Sequence, residues 1–299
     1  VDIRTAIARF GLPALFVLLW STGFIGARLG LPHAGPLTFL SVRYVIAAAL
    51  LAAIALAMRA PWPSRRSDVV HYVTAGLLVH AVYLGGVFTA ISLGIEAGVS
   101  ALIVSVQPLL VAALAGLLFG ERVSARQWFG LVLGLVGVSL VVAQKLGGGL
   151  GATWGAVACI VALAAITAGT LYQKRHGAGM DLRTGTAIQF LACAVATAPL
   201  ALHYEQFKID WTIEFVIALA WLVLVLSLGA VSLLFLLIRR GAAASVSSLF
   251  FLTPSCTALI AWPLFGERLG ATALFGMVLT LVGVALATLP SGRAAPSNA

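Results

Sequence analysis

The chain has 299 residues, of which 62% are hydrophobic and only 9% charged, with a formal net charge of +9. Soluble domains carry roughly 25% charged residues, so a water-soluble globule of this length would lack the polar surface to cover itself. The positive excess is scattered over short loops rather than gathered in one stripe, which speaks against a nucleic-acid partner and for a chain whose solvent is lipid.

Apolar runs recur along the chain, each near the ~20 residues that carry a helix across a ~30 Å hydrocarbon layer. They predict an all-α integral membrane protein with ten transmembrane helices, over 11–31, 36–58, 69–93, 96–119, 127–144, 152–173, 182–202, 215–238, 244–265 and 271–289. Helices are expected because backbone groups in lipid must be satisfied internally, and the alternation that would mark a barrel is missing.

The first run follows Asp2, Arg4 and Arg9 and outlasts a signal-peptide core, so it is expected to remain as an uncleaved first helix. Midway along it lie Trp20, Ser21 and Thr22. Arg43 sits about two turns into the second helix, where pairing with Glu96 is expected and capture of a substrate carboxylate is the alternative. Arg28, nearer a helix end, is expected to snorkel. His80 and Tyr83 fall near the centre of the third helix. A histidine at that depth is the default candidate for proton coupling, against a neutral, hydrogen-bonded ring.

Ser105 and Gln107 flank Pro108 in the middle of the fourth helix, and Phe250, Thr253 and Ser255 surround Pro254 in the middle of the ninth. Proline removes a backbone donor and displaces the carbonyl four residues earlier, here Val104 and Phe250. Such freed groups call for protein or water beside them, so Pro108 and Pro254 are read as hinges or cavity walls. Thr167 on the sixth helix and Ser227 on the eighth complete the polar set. Several hydroxyls will only bond back to their own helix, whereas a buried indole, amide or imidazole needs a partner.

Glycines 130, 134 and 137 on the fifth helix and 276 and 283 on the tenth make small faces for close helix contact. A dinucleotide site does not fit them, since no strand precedes. Cys159, Cys193 and Cys256 read as packing residues. No metal-ligand spacing, cofactor motif or catalytic triad arises, so neither metal, cofactor nor enzyme is expected.

The stretch from Gly98 to Val142 matches Ala244 to Thr288 without a gap at about two positions in five. Both copies carry the proline, Phe119-Gly120-Glu121-Arg122 or Phe265-Gly266-Glu267-Arg268, and the paired glycines. The same offset of 146 residues sets Ser21 against Thr167, Thr38 against Thr184, Arg43 against Gln189 and Tyr44 against Phe190. The chain therefore reads as two five-helix units, 1–147 and 148–299, alike except around the third helix of each. Five is odd, so the second unit is expected to enter the membrane inverted, an arrangement in which rocking exchanges inward-open and outward-open states.

Lysine and arginine support that path. One side takes Arg4, Arg9, Arg59, Arg65, Arg66, Arg122, Arg126, Lys174, Arg175, Arg183, Arg239, Arg240 and Arg293, and the other takes Lys145, Lys208 and Arg268. The positive-inside rule then puts both termini in the cytoplasm.

The twin hairpin, its two glycine-rich last helices and the opening Leu18-Leu-Trp-Ser-Thr-Gly-Phe24 resemble the drug/metabolite transporter superfamily, and within it the ten-helix bacterial exporters with two EamA domains. The resemblance implies a bacterial inner-membrane exporter of amino acids, aromatic or aliphatic, or related metabolites, working by alternating access. The expected cavity is lined by the first, third, fourth, sixth, eighth and ninth helices, with Trp20, Ser21, Arg43, His80, Tyr83, Gln107, Thr167, Phe250 and Thr253 as candidate substrate contacts. Sugar phosphates would call for several buried cations, and only Arg43 is clearly inside. Efflux of lipophilic cations is the alternative within the class, and a non-transporting scaffold the alternative outside it. The expected partners are a small-molecule substrate and the bilayer; a monomer and a homodimer are both compatible with the sequence.

Overall fold

The computed structural model describes residues 11–95, 100, 103–143, 153–240, 243–265 and 270–288. Glu96, Lys145 and the second Gly-Glu-Arg turn, Gly266 to Arg268, lie outside the described residues, as do Arg4, Arg9 and Arg293.

The helices in chain order are α1 Leu12–Gly30, α2 Pro36–Ala57, α3 Arg66–Ser92, α4 Gln107–Phe119, α5 Ala125–Ala143, α6 Thr153–His176, α7 Leu182–Glu205, α8 Ile213–Arg240, α9 Ser245–Leu264 and α10 Ala271–Thr288. Among the described residues, eight of these are long and apolar enough to cross a membrane, while the described apolar stretches of α4 and α5 are shorter. Extended structure among the same residues is confined to an isolated bridge between Ala34 and Ile209.

The broad lipid-facing surface carries bare Leu, Val and Phe side chains such as Leu117, Phe129, Val195 and Phe275. Several exposed aromatics sit near helix ends, Trp154, Tyr204 and Trp211 toward one end and Trp62 and Trp128 toward the other, as in the aromatic belts of membrane proteins.

The prolines act differently from a kink inside a continuous helix. In place of one helix over 96–119, the described part turns at Ser105 and Val106, and α4 starts afresh with Pro108 in its first turn. A missing N–H is tolerated there, because the first helical donors have no intrahelical partner. In α9 the break is the 3-10 turn Ser248–Phe251, with Pro254 again in the first turn of the α-helix that follows.

A second irregularity is shared by helices whose sequences look unrelated. α3 loosens into a π-turn over Leu77–Val82 and α8 over Leu222–Ala230. The 146-residue offset superposes these stretches, so the third and eighth helices share a backbone feature that their side chains conceal.

Two helix pairs hold the bundle together. α5 and α10 make the most extensive contact, with α7 and α2 next. Along the first pair, a Cβ on Gly130 would meet Gly283 O at 2.6 Å, and one on Gly137 would meet Gly276 O at 2.6 Å. Gln127 Nε2 donates to Ala287 O at 3.3 Å. Partner numbers fall as α5 numbers rise, so the two helices run antiparallel with backbones nearly touching.

α2 and α7 are also antiparallel: Thr38 lies by Glu205, Ser41 Oγ donates to Thr197 Oγ1 at 2.8 Å, and Thr184 Oγ1 donates to Pro61 O at 2.9 Å. At their crossing Tyr44 stacks on Phe190, ring centroids 5.7 Å apart.

Two glutamates bind elements at opposite ends. Glu205, closing α7, accepts from the backbone N–H groups of Leu37 and Thr38 at 3.0 and 2.7 Å. Glu121, in the first Gly-Glu-Arg turn, accepts from Ala243 N at 3.2 Å. Each carboxylate meets unsatisfied donors and the positive end of a helix dipole. Gly120 ends α4 at φ +67°, in the left-handed region that a side chain disfavours, and so turns the chain into Glu121.

Candidate functional site

One cavity lies between α1, α2, α3 and α8, about 40 Å³ as seen by the centre of a water molecule. That is room for a few waters or for one end of a small ligand. Its walls are Trp20, Phe24 and Ala27 from α1, Arg43 from α2, Tyr83, Leu84, Val87 and Phe88 from α3, and Leu226 and Val231 from α8. Three of the sequence-predicted residues, Trp20, Arg43 and Tyr83, thus meet around one space, although 63 positions separate the first from the last.

Local structure aims each of them. Trp20 packs against Phe16 and edge-on against Phe250 of α9, centroids 5.3 and 5.4 Å away. Those contacts fix the indole and leave its other side to the cavity. Tyr83 begins the regular helix after the π-turn of α3 and sits beside Trp20. Arg43 is only 4% exposed. Its Nε donates to Ser227 Oγ at 2.9 Å, and Ser227 is carried by the π-turn of α8. A π-turn shifts the side-chain register by one position, a distortion frequent at functional sites.

His80 is fully buried in the π-turn of α3, in an aromatic cage of Tyr44, Phe190 and Phe235 with ring centroids 6.5, 4.6 and 6.0 Å away. Among the described residues neither ring nitrogen has a hydrogen bond of good geometry, and the Gln189 amide is the polar side chain within reach. His80 lies outside the cavity wall, next to Arg43. Tyr44 Oη donates to the carbonyl of His80 at 2.9 Å, which pins the π-turn to α2.

The remaining predicted contacts are placed elsewhere. Ser21 Oγ bonds back to Val17 O at 2.7 Å and reaches Thr253 O at 3.3 Å, joining α1 to α9. Thr253 Oγ1 is buried and has no hydrogen-bond partner among the described residues. Thr167 only bonds back to Leu163 O, at 2.7 Å, the local pattern that hydroxyls in helices favour. Gln107 Nε2 reaches Thr170 and Ser247, both at 3.3 Å, in a separate polar cluster at the break of α4.

Of the expected contacts on the fourth, sixth and ninth helices, Gln107, Thr167 and Thr253 do not line this cavity and Phe250 backs Trp20, while the second helix supplies Arg43 to it. Sequence reasoning missed Phe24 and Phe88 because a phenylalanine in an apolar run has no signal of its own.

The EamA-like transporter family model matches residues 11–143 and again 153–289. The uncharacterized transporter YvbV of Bacillus subtilis is 27% identical over 297 residues, 96% of this chain and 92% of the relative. The uncharacterized inner membrane transporter YedA of Escherichia coli K12 is 26% identical, over 96% of this chain and 92% of the relative. A probable amino-acid metabolite efflux pump of Salmonella typhimurium is 26% identical, over 91% and 92%. A solved crystal structure superposes with a TM-score of 0.79 at 19% identity, covering 94% of this chain and 97% of that one, a likeness of fold. With the family model matched across both halves of a bundle of apolar helices that has a small polar-tipped cavity between them, the chain belongs to the EamA-like transporter family and is a multi-pass membrane transporter.

Proposed function

We propose that this transporter exports amino acids or related small metabolites across a bacterial inner membrane by alternating access. The observation that carries the reading is the convergence of Trp20, Arg43 and Tyr83 on one cavity, a single cation set among aromatic and aliphatic walls. Such a mixture suits a small organic molecule whose carboxylate the cation can hold. The relative named as an amino-acid metabolite efflux pump points to the same class.

The chain crosses the membrane ten times as two inverted units, 1–147 and 148–299, with both termini in the cytoplasm. Supporting this, the Gly130–Gly283 approach becomes the Gly137–Gly276 approach when each residue is exchanged for its counterpart 146 positions away. Tyr44 and Phe190, counterparts of each other, stack where α2 crosses α7. A contact that maps onto itself under exchange is what a two-fold axis between two units produces. The ends agree as well: Glu205 and Asp210 meet the α1–α2 connection, while Met180, Thr184 and Glu121 meet the 59–65 and 238–243 stretches. In the transport cycle Pro108 and Pro254 mark the hinges, His80 supports the α3 turn behind Arg43, and Phe250 supports Trp20.

Counterflow of labelled amino acids in proteoliposomes tests the export reading, with accelerated exchange expected for at least one neutral or aromatic member of a broad panel. Absence of exchange across that panel overturns it. Accessibility labelling of single cysteines in place of Glu121 and Glu267 tests the topology; labelling from opposite compartments is expected, and labelling from one compartment defeats the inverted pairing.

A further inference from the structure

The same cavity has a second property, one of charge. Its wall holds one cation, Arg43, and no aspartate or glutamate among the described residues. Arg43 commits Nε to Ser227 Oγ. A guanidinium carries five N–H donors in a planar fork, so the four on Nη1 and Nη2 are left for the space the residue lines. The rest of the wall is Trp20, Phe24, Phe88, Leu226 and their apolar neighbours. The Ser227 bond holds the fork by its inner edge, and α2 is held in turn by the Tyr44–Phe190 stack.

We propose that the cavity is a receptor for amphipathic monocarboxylates without a free ammonium group, such as 2-oxo acids or N-acylated amino acids, with Arg43 as the carboxylate-binding residue. This deepens the export reading and rests on it for direction of movement, though not for binding. The outer edge of the fork takes both carboxylate oxygens, the bidentate geometry that arginine provides and lysine does not. The hydrocarbon part of the ligand lies against Trp20 and Phe88. An α-ammonium would sit within a few bonds of the carboxylate, close to the Arg43 charge and without an acidic partner among the described residues of the wall. A zwitterion is therefore taken less well than the matching carboxylate, and an amine least of all.

Binding to the purified full-length protein in detergent, followed by titration calorimetry, separates these cases with four probes that share a phenyl group: 3-phenylpropionate, phenylalanine, 2-phenylethylamine and 3-phenylpropanol. The expected order is 3-phenylpropionate first, phenylalanine weaker, 2-phenylethylamine weakest. Arg43→Gln, which installs the residue of the matching position in the second half, is expected to weaken 3-phenylpropionate roughly ten- to a hundred-fold, the range for a hydrogen bond to a charged group, while leaving the alcohol unchanged. Arg43→Lys recovers only part of the loss.

An unchanged 3-phenylpropionate affinity in Arg43→Gln overturns the proposal, as does tighter binding of phenylalanine than of 3-phenylpropionate or no binding of any probe. Equal loss of the alcohol shows a collapsed cavity and also counts against it, because Arg43 would then be structural. Counterflow run alongside keeps the two readings apart. Exchange without Arg43-dependent carboxylate preference refutes only the ligand class, and Arg43-dependent binding without exchange refutes only export.

Discussion

The seam between α5 and α10 and the cavity beside α2 are built from the same duplicated sequence, yet they treat the duplication in opposite ways. On the seam, what one half does the other repeats: glycine faces glycine, and the two closest backbone approaches exchange under the 146-residue offset. At the cavity the counterpart of Arg43 is Gln189, which lies instead beside His80 and donates to Gln173 Oε1 at 3.2 Å. Packing between two like helices gains from being self-complementary. A small organic ligand has no two-fold axis, so a site made for one can keep its charge on only one side.

The seam predicts the largest effect. A Cβ on Gly283 would lie 2.5 Å from Gly134 N and 2.6 Å from Gly130 O, and backbone atoms cannot swing aside as a side chain can. Gly283→Leu is expected to cost about 3 kcal/mol or more, the upper range for overpacking, read as loss of a monodisperse peak and of the thermal transition in detergent. Gly229→Ala is the control, since its nearest neighbour is the end of Leu19 at 3.6 Å, and it is expected to melt with the wild type. If Gly283→Leu melts normally, the seam is not the rigid half of the comparison.

The cavity side is tested by imposing symmetry on it. Gln189→Arg would place a second guanidinium at a fully buried position near His80, Tyr44 and Phe190, where no carboxylate is found among the described residues. A buried charge without a partner costs about 3–5 kcal/mol, and a lowered melting temperature with reduced yield is expected. Wild-type melting would show that the second half can hold a site of its own, and the contrast between the halves would weaken.

The seam and the cavity were also unequally legible in the sequence. Helix positions and the paired glycines could be read, because apolar run length and residue size are local properties and duplication doubled their signal. Trp20, Arg43 and Tyr83 were legible as polar groups at mid-depth. Gln107 and Thr167 looked equally good, but whether a hydroxyl bonds back to its own helix or an amide faces a neighbour depends on helix rotation, which a run hydrophobic on all sides does not encode. The π-turns of α3 and α8 were hidden for a related reason: they are backbone features, and the two stretches match only at Leu78/Leu224 and Val79/Val225, apolar residues that any buried helix could carry. Glu121 was visible as part of a repeated turn, but its contact with Ala243 joins positions 122 residues apart.

A smaller effect probes the α2–α7 crossing, where symmetric stacking and asymmetric polar contacts coexist. Ser41 Oγ and Thr197 Oγ1 are buried partners at 2.8 Å, and the positions exchanged with them are Ala187 and Leu51. Ser41→Ala is expected to cost about 1 kcal/mol, seen as a modest fall in melting temperature, and Thr197→Ala in the same background should add little because the pair acts as one unit. Full additivity of the two changes would mean that the contact does not couple the halves.

The smallest effect lies at the edge of the bundle, where the second half has a cap that the first half lacks. Asp181 precedes α7, and its carboxylate accepts from Arg183 Nη2 at 2.7 Å and from the backbone N–H groups of Arg183 and Thr184 at 2.9 and 3.3 Å. At the matching start of α2, Gly35 offers no side chain, and Glu205 reaches across from α7 to do the work. The Arg183 side chain first, and the two backbone donors after it, hold the Asp181 carboxyl below the usual carboxylate range. A depressed value in the folded state means stability that is present above the unfolded carboxyl's titration and lost as pH falls below about 4. Because the pair is only part-buried and still reached by solvent, the loss is expected to be no more than about 1 kcal/mol, as for an N-cap. Melting curves between neutral and acidic pH should show Asp181→Asn losing less on acidification than the parent chain. If the two chains lose equally, the cap carries no net stability, and the start of α7 depends on its packing against α2 alone.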